Sequence, residues 1–193
     1  RKEASKLNVP RIGVRFRLPA SMNQVEYFGR GPAENYLDRN AGSMVGLYKS
    51  TAEELYFPYV RPQENGHHTD TRWVSLSTGK KGLLIQADNT IGFNALRNSI
   101  EDFDDEEATG LSRQWSNFTP EQVANHDEAA AKNVLRRQHH INDITPRDFV
   151  EVCVDLKQQG VAGYDSWGSR PEPAYTLPAN REYNWGFTLI PLK

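Results

Sequence analysis

The chain has 193 residues, 23 of them Lys or Arg and 25 Asp or Glu, so its formal net charge is −2. This length favours one domain, or two at most, and the weak negative charge argues against a protein that binds nucleic-acid phosphates. No apolar run reaches the about 20 residues of a membrane-spanning helix, and the single cysteine, Cys153, excludes a disulfide framework. The 4 Trp, 8 Tyr and 8 Phe place the chain among folded globular proteins.

The first residues, RKEASKL, carry no initiator Met and no apolar stretch of the kind found in signal peptides. A strand pattern begins directly after Val9 and Pro10. We therefore expect a fragment of a longer chain or a processed product, whose compartment cannot be read from this terminus.

Alternation of apolar and polar residues with a period of two, which indicates strands, dominates the chain. The clearest runs are residues 11–18, 149–156 and 183–189, and shorter ones are 25–28, 72–77, 83–87 and 91–95. Turn-forming residues at 78–82 and 88–90 predict hairpin connections. Cys153 falls on one of these strands, where we expect a half-buried structural thiol.

One helix start is predicted at Thr119, where a capping threonine precedes Pro120 and is followed by Gln122 at the capping-box position. The helix would run to about His126, or further to Ala131. Together with the strands, this predicts an all-β, antiparallel architecture with one or two short helices, in a single domain over residues 1–193.

No catalytic or metal-binding motif can be recognised by spacing alone. The acidic run 101–107 lacks the spacing and the glycine of an EF-hand, so a solvated loop is the better interpretation. Histidines occur as the pairs 67–68 and 139–140 and singly at His126, but adjacent strand residues point to opposite faces and make no two-ligand site. We therefore assign no metal ligands in this chain, and metal binding stays a minor alternative.

Three segments combine glycines, prolines and hydrogen-bonding side chains in unusual density. Residues 27–39 read YFGRGPAENYLDR, residues 59–73 read YVRPQENGHHTDTRW, and residues 160–168 read GVAGYDSWG. In the third segment Trp167 stands on a glycine-flanked loop. It either folds back onto the core, the commoner fate of such a residue, or stacks on a ligand while Asp165 and Ser166 hold it in place.

The three segments together identify a resemblance. The order F-G-R-G-P-x-E-N-Y-x-D-R, P-Y-V-x-P-Q-E-N-G with T-R-W, and D-S-W-G resembles the C-terminal domain of the large, lacZ-type β-galactosidases of glycoside hydrolase family 2. The similarity runs from about Val9 to the C-terminus and is weakest between Arg97 and His140. It implies an antiparallel supersandwich related to galactose mutarotase.

The resemblance also implies how the work is divided in the parent enzyme. The catalytic glutamates and the magnesium ligands lie on a TIM barrel earlier in the polypeptide, so no catalytic residue and no cofactor is expected in this domain, whereas Mg²⁺ and Na⁺ are expected in the parent. Trp167, flanked by Asp165 and Ser166, would contact the sugar, mainly on its aglycone side. Structural motif residues would be Arg39, Asn65, Gly66 and Arg72.

The expected function is therefore that of a β-galactosidase domain that is inactive alone. The parent would hydrolyse terminal β-galactosides such as lactose with retention of configuration. Its partners would be the galactoside and the barrel of the same chain, with a homo-oligomer left open and neither nucleic acid nor membrane expected.

Two other classes of function stay open at this stage. One is a free-standing carbohydrate-binding module or a mutarotase-like aldose epimerase, whose acid and base could be recruited from His67, His68 and Glu64. The other is a purely structural or oligomer-forming domain.

Two further expectations concern side-chain placement. Arg39 and Arg72 each follow a loop rich in Asn, Asp and Glu, so both should be partly buried and should join these loops by charge-assisted hydrogen bonds. Gly160, Gly163 and Gly168 would allow positive φ around Trp167, which should project from the domain.

Overall fold

A computed structural model describes residues 7–60, 62–103, 141, 144–165 and 168–193. The chain divides into two compact units. The larger unit comprises residues 1–57, 65–97 and 148–193 and contains all the strands described below; the smaller comprises 58–64 and 98–147. The helix expected at Thr119 lies outside the described residues, and a single domain over residues 1–193 stays a prediction.

Among the described residues of the larger unit, seven strands form one antiparallel sheet. They are β1 (Arg11–Pro19), β2 (Gln24–Gly31), β3 (Met44–Thr51), β4 (His68–Ser77), β5 (Gly82–Leu96), β6 (Phe149–Gln158) and β7 (Phe187–Leu192). Their order is β1-β6-β5-β4-β2-β3, with β7 also paired to β5. Short 3₁₀ helices span Ile100–Asp102 and Pro173–Tyr175. The described part of the chain is therefore mostly antiparallel β-sheet, which confirms the predicted fold class and is consistent with an all-β sandwich.

The central strand β5 has 15 residues and changes partner along its length. Its first part, Gly82 to Ala87, pairs with β7, and its last part, Gly92 to Leu96, pairs with β6. Between these parts, β5 advances five residues from Gln86 to Ile91 while its other neighbour β4 advances only two. The additional residues of β5 form a bulge, which locally bends and twists a strand.

The pairing of β5 corrects two of the predicted elements, the hairpin at 88–90 and the strand at 183–189. Residues 88–90 were expected to form a hairpin, but they lie inside the continuous strand β5. Turn-forming residues suit a bulge as well as a turn, because both need irregular backbone. The strand expected at 183–189 begins only at Phe187, where pairing to Ala87 starts. The turn at 78–82 is confirmed: Thr78 N–H donates to the Lys81 carbonyl at 2.9 Å.

The core is built from alternate residues of the central strands. Tyr27, Val74, Ile85 and Phe93 are all 1% exposed or less. Burial of such side chains contributes about 1.5–3 kcal/mol each to folding.

Strand β6 is buried on both faces. Its valines, together with Cys153, are at most 3% exposed, and so are Glu151 and Asp155. These two carboxylates are matched by arginines of β1, because Arg17 donates to Glu151 at 3.1 Å and Arg11 to Asp155 at 2.7 Å. The arginines on the polar face of β1 therefore form ion pairs with buried acids of β6. Cys153 is fully buried, not half buried as predicted.

Candidate functional site

The first two of the three unusual segments are joined by Glu34. One carboxylate oxygen pairs with Arg39 at 2.6 Å, and the other accepts the backbone N–H of Gly66, also at 2.6 Å. The Arg39 guanidinium in addition lies over the Tyr36 ring, 5.1 Å from its centroid. Arg39 is thus ion-paired and half exposed, and the bond that joins the two segments is made by Glu34.

Asn35 uses all of its side-chain hydrogen-bonding capacity inside the protein. Its Nδ2 donates to the carbonyls of Arg30 and Ala33 at 3.1 Å each, and its Oδ1 accepts from the N–H and hydroxyl of Thr69 at 2.9 and 2.6 Å. An asparagine supplies two donors and one double acceptor in this geometry. The segment after β2 is therefore held against the start of β4.

Gly66 stands where no larger residue fits. Its φ is +72°, in the left-handed region, and a Cβ there would come within 2.9 Å of the Leu55 carbonyl oxygen and of Leu96 Cδ2. The neighbouring Asn65 is buried and its Oδ1 accepts the N–H of Phe57 at 3.1 Å. Asn65 and Gly66 thus fix a tight connection that leads into β4.

The two adjacent histidines are both buried, at 1% exposure. His67 Nδ1 faces Asn94 Oδ1 at 2.8 Å, and His68 Nδ1 faces the Arg30 carbonyl at 3.1 Å. Burial lowers the pKa of His67 to about 3, helped by the charge of Arg11, and lowers that of His68 to about 4. Neutral side chains enclosed in the sheet cannot exchange protons with a sugar at neutral pH, which weighs against the epimerase interpretation.

Arg72 lies apart from the Glu34 cluster. Its guanidinium donates to the backbone carbonyl of Asp70 and lies 5.7 Å from the centroid of the Phe28 ring. It is partly buried as expected, but its described hydrogen bond goes to a backbone oxygen close by rather than to a loop carboxylate. In the pairing of β2 with β4, Phe28 stands opposite Trp73, the residue that follows Arg72.

The third segment forms a closely bonded loop after β6. Gly160 N–H donates to the Tyr175 carbonyl at 2.8 Å, and Gly163 N–H donates to Ser169 Oγ at 3.1 Å. Asp165 accepts the N–H of Ser169 at 3.3 Å. Ser166 and Trp167 themselves lie outside the described residues, so the expectation that Trp167 projects stays a prediction.

The backbone of this loop turns through positive φ at several positions. Gly163 and Gly168 have φ of +89° and +86°, as the glycine pattern predicted, but Gly160 does not share this conformation. Ala162 takes it instead, at +53°. Immediately beyond, Tyr164 is 71% exposed.

Two residues of this loop region escaped the sequence analysis. Asp38 accepts hydrogen bonds from the N–H groups of Val161 and Ala162 at 3.1 and 2.7 Å. Its place in the N-Y-x-D-R motif marked Asp38 as a residue of interest. Because 122 residues separate it from Gly160, the sequence could not predict that the two are in contact. Tyr164 gave no signal beyond its place beside Asp165.

In the described part of the chain, no three His, Cys, Asp or Glu side chains group closely enough to hold a metal ion. Nor does the described part contain a helix with the length and apolarity needed to cross a membrane.

Comparison with known proteins extends over almost the whole chain. A family model described as "Beta galactosidase small chain" matches residues 1–189. The β-galactosidase of Priestia megaterium is 35% identical over 185 residues, which is 95% of this chain and 15% of the relative. That of Arthrobacter sp. strain B7 is 42% identical over 99 residues, or 48% of this chain and 10% of the relative.

A β-galactosidase of Vibrio cholerae is 29% identical over 181 residues, covering 94% of this chain and 14% of the relative. The chain thus spans about 15% or less of the length of these curated relatives. The resemblance carried by the three sequence segments is confirmed. The chain belongs to the β-galactosidase small-chain family.

Proposed function

We propose that this chain is the C-terminal domain of a β-galactosidase, and that it contributes the loop 160–168, with Trp167, to the edge of the sugar site. The family match over residues 1–189 and the β-galactosidase relatives support this proposal. The observation that carries it is the construction of the loop: Asp38, Tyr175 and Ser169 anchor its backbone, and the aromatic Tyr164 stands 71% exposed beside Asp165.

The parent enzyme would hydrolyse terminal β-galactosides such as lactose by a retaining mechanism. Such enzymes use two carboxyl groups about 5–5.5 Å apart, one as nucleophile and one as acid and base. The domain would add binding contacts to the aglycone and stabilise the assembly around the barrel, where the catalytic carboxylates and the metal ions belong.

Three of the described acids are unavailable for glycoside hydrolysis. Glu151 and Asp155 are at most 3% exposed and pair with arginines of β1, and Asp102 is 9% exposed and pairs with Arg147. A carboxylate enclosed in this way cannot approach a glycosidic bond. These acids are structural groups.

The affinity of one aromatic platform also argues for a role within a larger site. Aromatic contacts contribute about 0.5–1.5 kcal/mol, whereas a dissociation constant of 1 mM already requires about 4 kcal/mol. A free-standing carbohydrate-binding module would need several such contacts.

The proposal is tested by comparing this chain with the complete protein that contains it. The purified chain should not hydrolyse a chromogenic β-galactoside, and the complete protein should. In the complete protein, Trp167→Ala should weaken transfer of galactose to added glucose more than it slows release of an aryl leaving group. Turnover by the chain alone, abolished by substituting one of its own acids, would overturn the assignment. Unchanged use of glucose by the Trp167→Ala variant would overturn the proposed role of the loop.

A further inference from the structure

We propose that Asp38 is the positioning residue of the sugar-contacting loop 160–168, holding its backbone so that the aromatic residues meet the aglycone. This inference rests on the proposed function and adds a residue from a different part of the chain. Asp38 lies between β2 and β3, whereas the loop follows β6.

The contact is a two-point clamp. Oδ1 of Asp38 accepts the N–H of Val161 at 3.1 Å, and Oδ2 accepts the N–H of Ala162 at 2.7 Å. Hydrogen bonds to an ionised carboxylate are stronger than those between neutral groups. Two successive amides that converge on one anion also fix the direction of the peptide planes between them.

Gly160 makes room for this clamp. A Cβ on Gly160 would overlap the Asp38 carboxylate, with Cγ only 2.5 Å away. The φ of Gly160 is not in the left-handed region, so the glycine is required by close approach rather than by backbone conformation. Asp38 and Gly160 therefore act as one unit.

The clamp stabilises an unfavourable backbone. Ala162 has φ of +53°, which L-residues with a Cβ adopt rarely, and its N–H is the one bound at 2.7 Å. Gly163 follows at +89°, and the next residue, Tyr164, is 71% exposed. Without the carboxylate, Ala162 should relax to negative φ, which would redirect Tyr164.

Within the described part of the chain, the hydrogen bonds of the Asp38 carboxylate all go to this loop. The sheet is held together by backbone hydrogen bonds between its strands and by ion pairs that do not involve Asp38. Loss of Asp38 should therefore disturb the loop much more than the fold.

The test uses the complete β-galactosidase with the variants Asp38→Ala, Asp38→Asn, Gly160→Ala and Trp167→Ala. Asp88→Asn is the matched control, since the Asp88 carboxylate also lies against a glycine, Gly186, but far along the chain from the loop. The readouts are the efficiency of glucose as galactosyl acceptor, kcat for an aryl β-galactoside and the unfolding midpoint.

Asp38→Ala should lower the acceptor efficiency by about fivefold, the change that loss of one aromatic contact brings, with a smaller change in kcat for the aryl substrate. Asp38→Asn, which keeps one acceptor oxygen, should fall between, and Gly160→Ala should resemble Asp38→Ala. The losses caused by Asp38→Ala and Trp167→Ala should be less than additive in the double variant, because Asp38 acts through the loop. Asp88→Asn should behave as the unaltered enzyme.

The two proposals fail in different ways. If Trp167→Ala lowers acceptor efficiency but the Asp38 and Gly160 variants do not, the positioning role is wrong and the proposed function stands. Additive losses, or a lower unfolding midpoint with unchanged acceptor use, also overturn the positioning role. If Trp167→Ala itself leaves acceptor use unchanged, the proposed function of the loop is wrong.

Discussion

Glu34 accepts the backbone N–H of Gly66 at 2.6 Å, across 32 residues of sequence. The same carboxylate pairs with Arg39, but the two partners differ in environment: the side chain of Glu34 is 5% exposed and that of Arg39 50%. The buried backbone bond and the half-exposed ion pair should therefore contribute very differently to stability.

Removing Glu34 should cost more than removing its arginine. Glu34→Ala leaves the Gly66 N–H without its acceptor, and loss of a hydrogen bond to a charged group typically costs about 1.5–3 kcal/mol. Arg39→Ala removes a half-exposed ion pair, for which less than about 1 kcal/mol is expected. Urea unfolding of both variants measures the difference, and an Arg39→Ala variant less stable than Glu34→Ala would contradict this ranking.

Three glycines allow backbone conformation and steric space to be separated by experiment. Gly42→Ala meets nothing within 4 Å and should be nearly neutral. Gly79→Ala has φ of +83° but only the flexible Gln24 side chain nearby, so it should cost about 1 kcal/mol. Gly66→Ala combines φ of +72° with contacts at 2.9 Å and should cost about 3 kcal/mol in unfolding free energy. Equal losses for Gly66 and Gly79 would show that space at Gly66 is unimportant.

Asp102 in the smaller unit should make stability sensitive to acid. Burial alone would raise the pKa of its carboxyl, but hydrogen bonds from Arg147 and from the Ser99 backbone outweigh this and lower it. A lowered pKa means that the stabilisation is present above the unfolded value, about 3.9, and is lost as the pH falls through the folded value. The Asp102→Asn variant should therefore be less stable than the original chain at pH 7, with a smaller difference at pH 3. A difference that grows on acidification would contradict this.

The parts of the fold that sequence could predict are those set by local alternation. Residues 11–18 and 149–156 read as strands because apolar side chains recur with a period of two, and both are strands. The failures arise from pairing at a distance. The bulge at 88–90 depends on where β5 exchanges β7 for β6, and the late start of β7 depends on its partner; neither is written in the local pattern.

The candidate site shows the same division. Glycines at 163 and 168 predicted positive φ correctly, because that preference is a property of the residue itself. Positive φ was also predicted for Gly160, but a glycine is needed there because the Asp38 carboxylate approaches closely. A contact between residues 38 and 160 requires the folded sheet to bring their loops together, so the sequence alone could not reveal it.

His67 and His68 should make the chain less stable below neutral pH, opposite to a histidine that gains an acidic partner. The pKa values of about 3 and about 4 lie below the ordinary 6.5, so between about pH 4 and 6.5 the unfolded chain binds protons that the folded chain excludes. Each histidine should then lower the unfolding free energy by up to about 1.4 kcal/mol per pH unit as the pH falls. Urea unfolding between pH 5 and 7 measures this slope while most carboxylates stay ionised. In His68→Gln the slope should decrease by about one proton, although the variant is less stable throughout. An unchanged slope would mean that His68 takes up its proton without unfolding, and that the sheet does not enclose it as described.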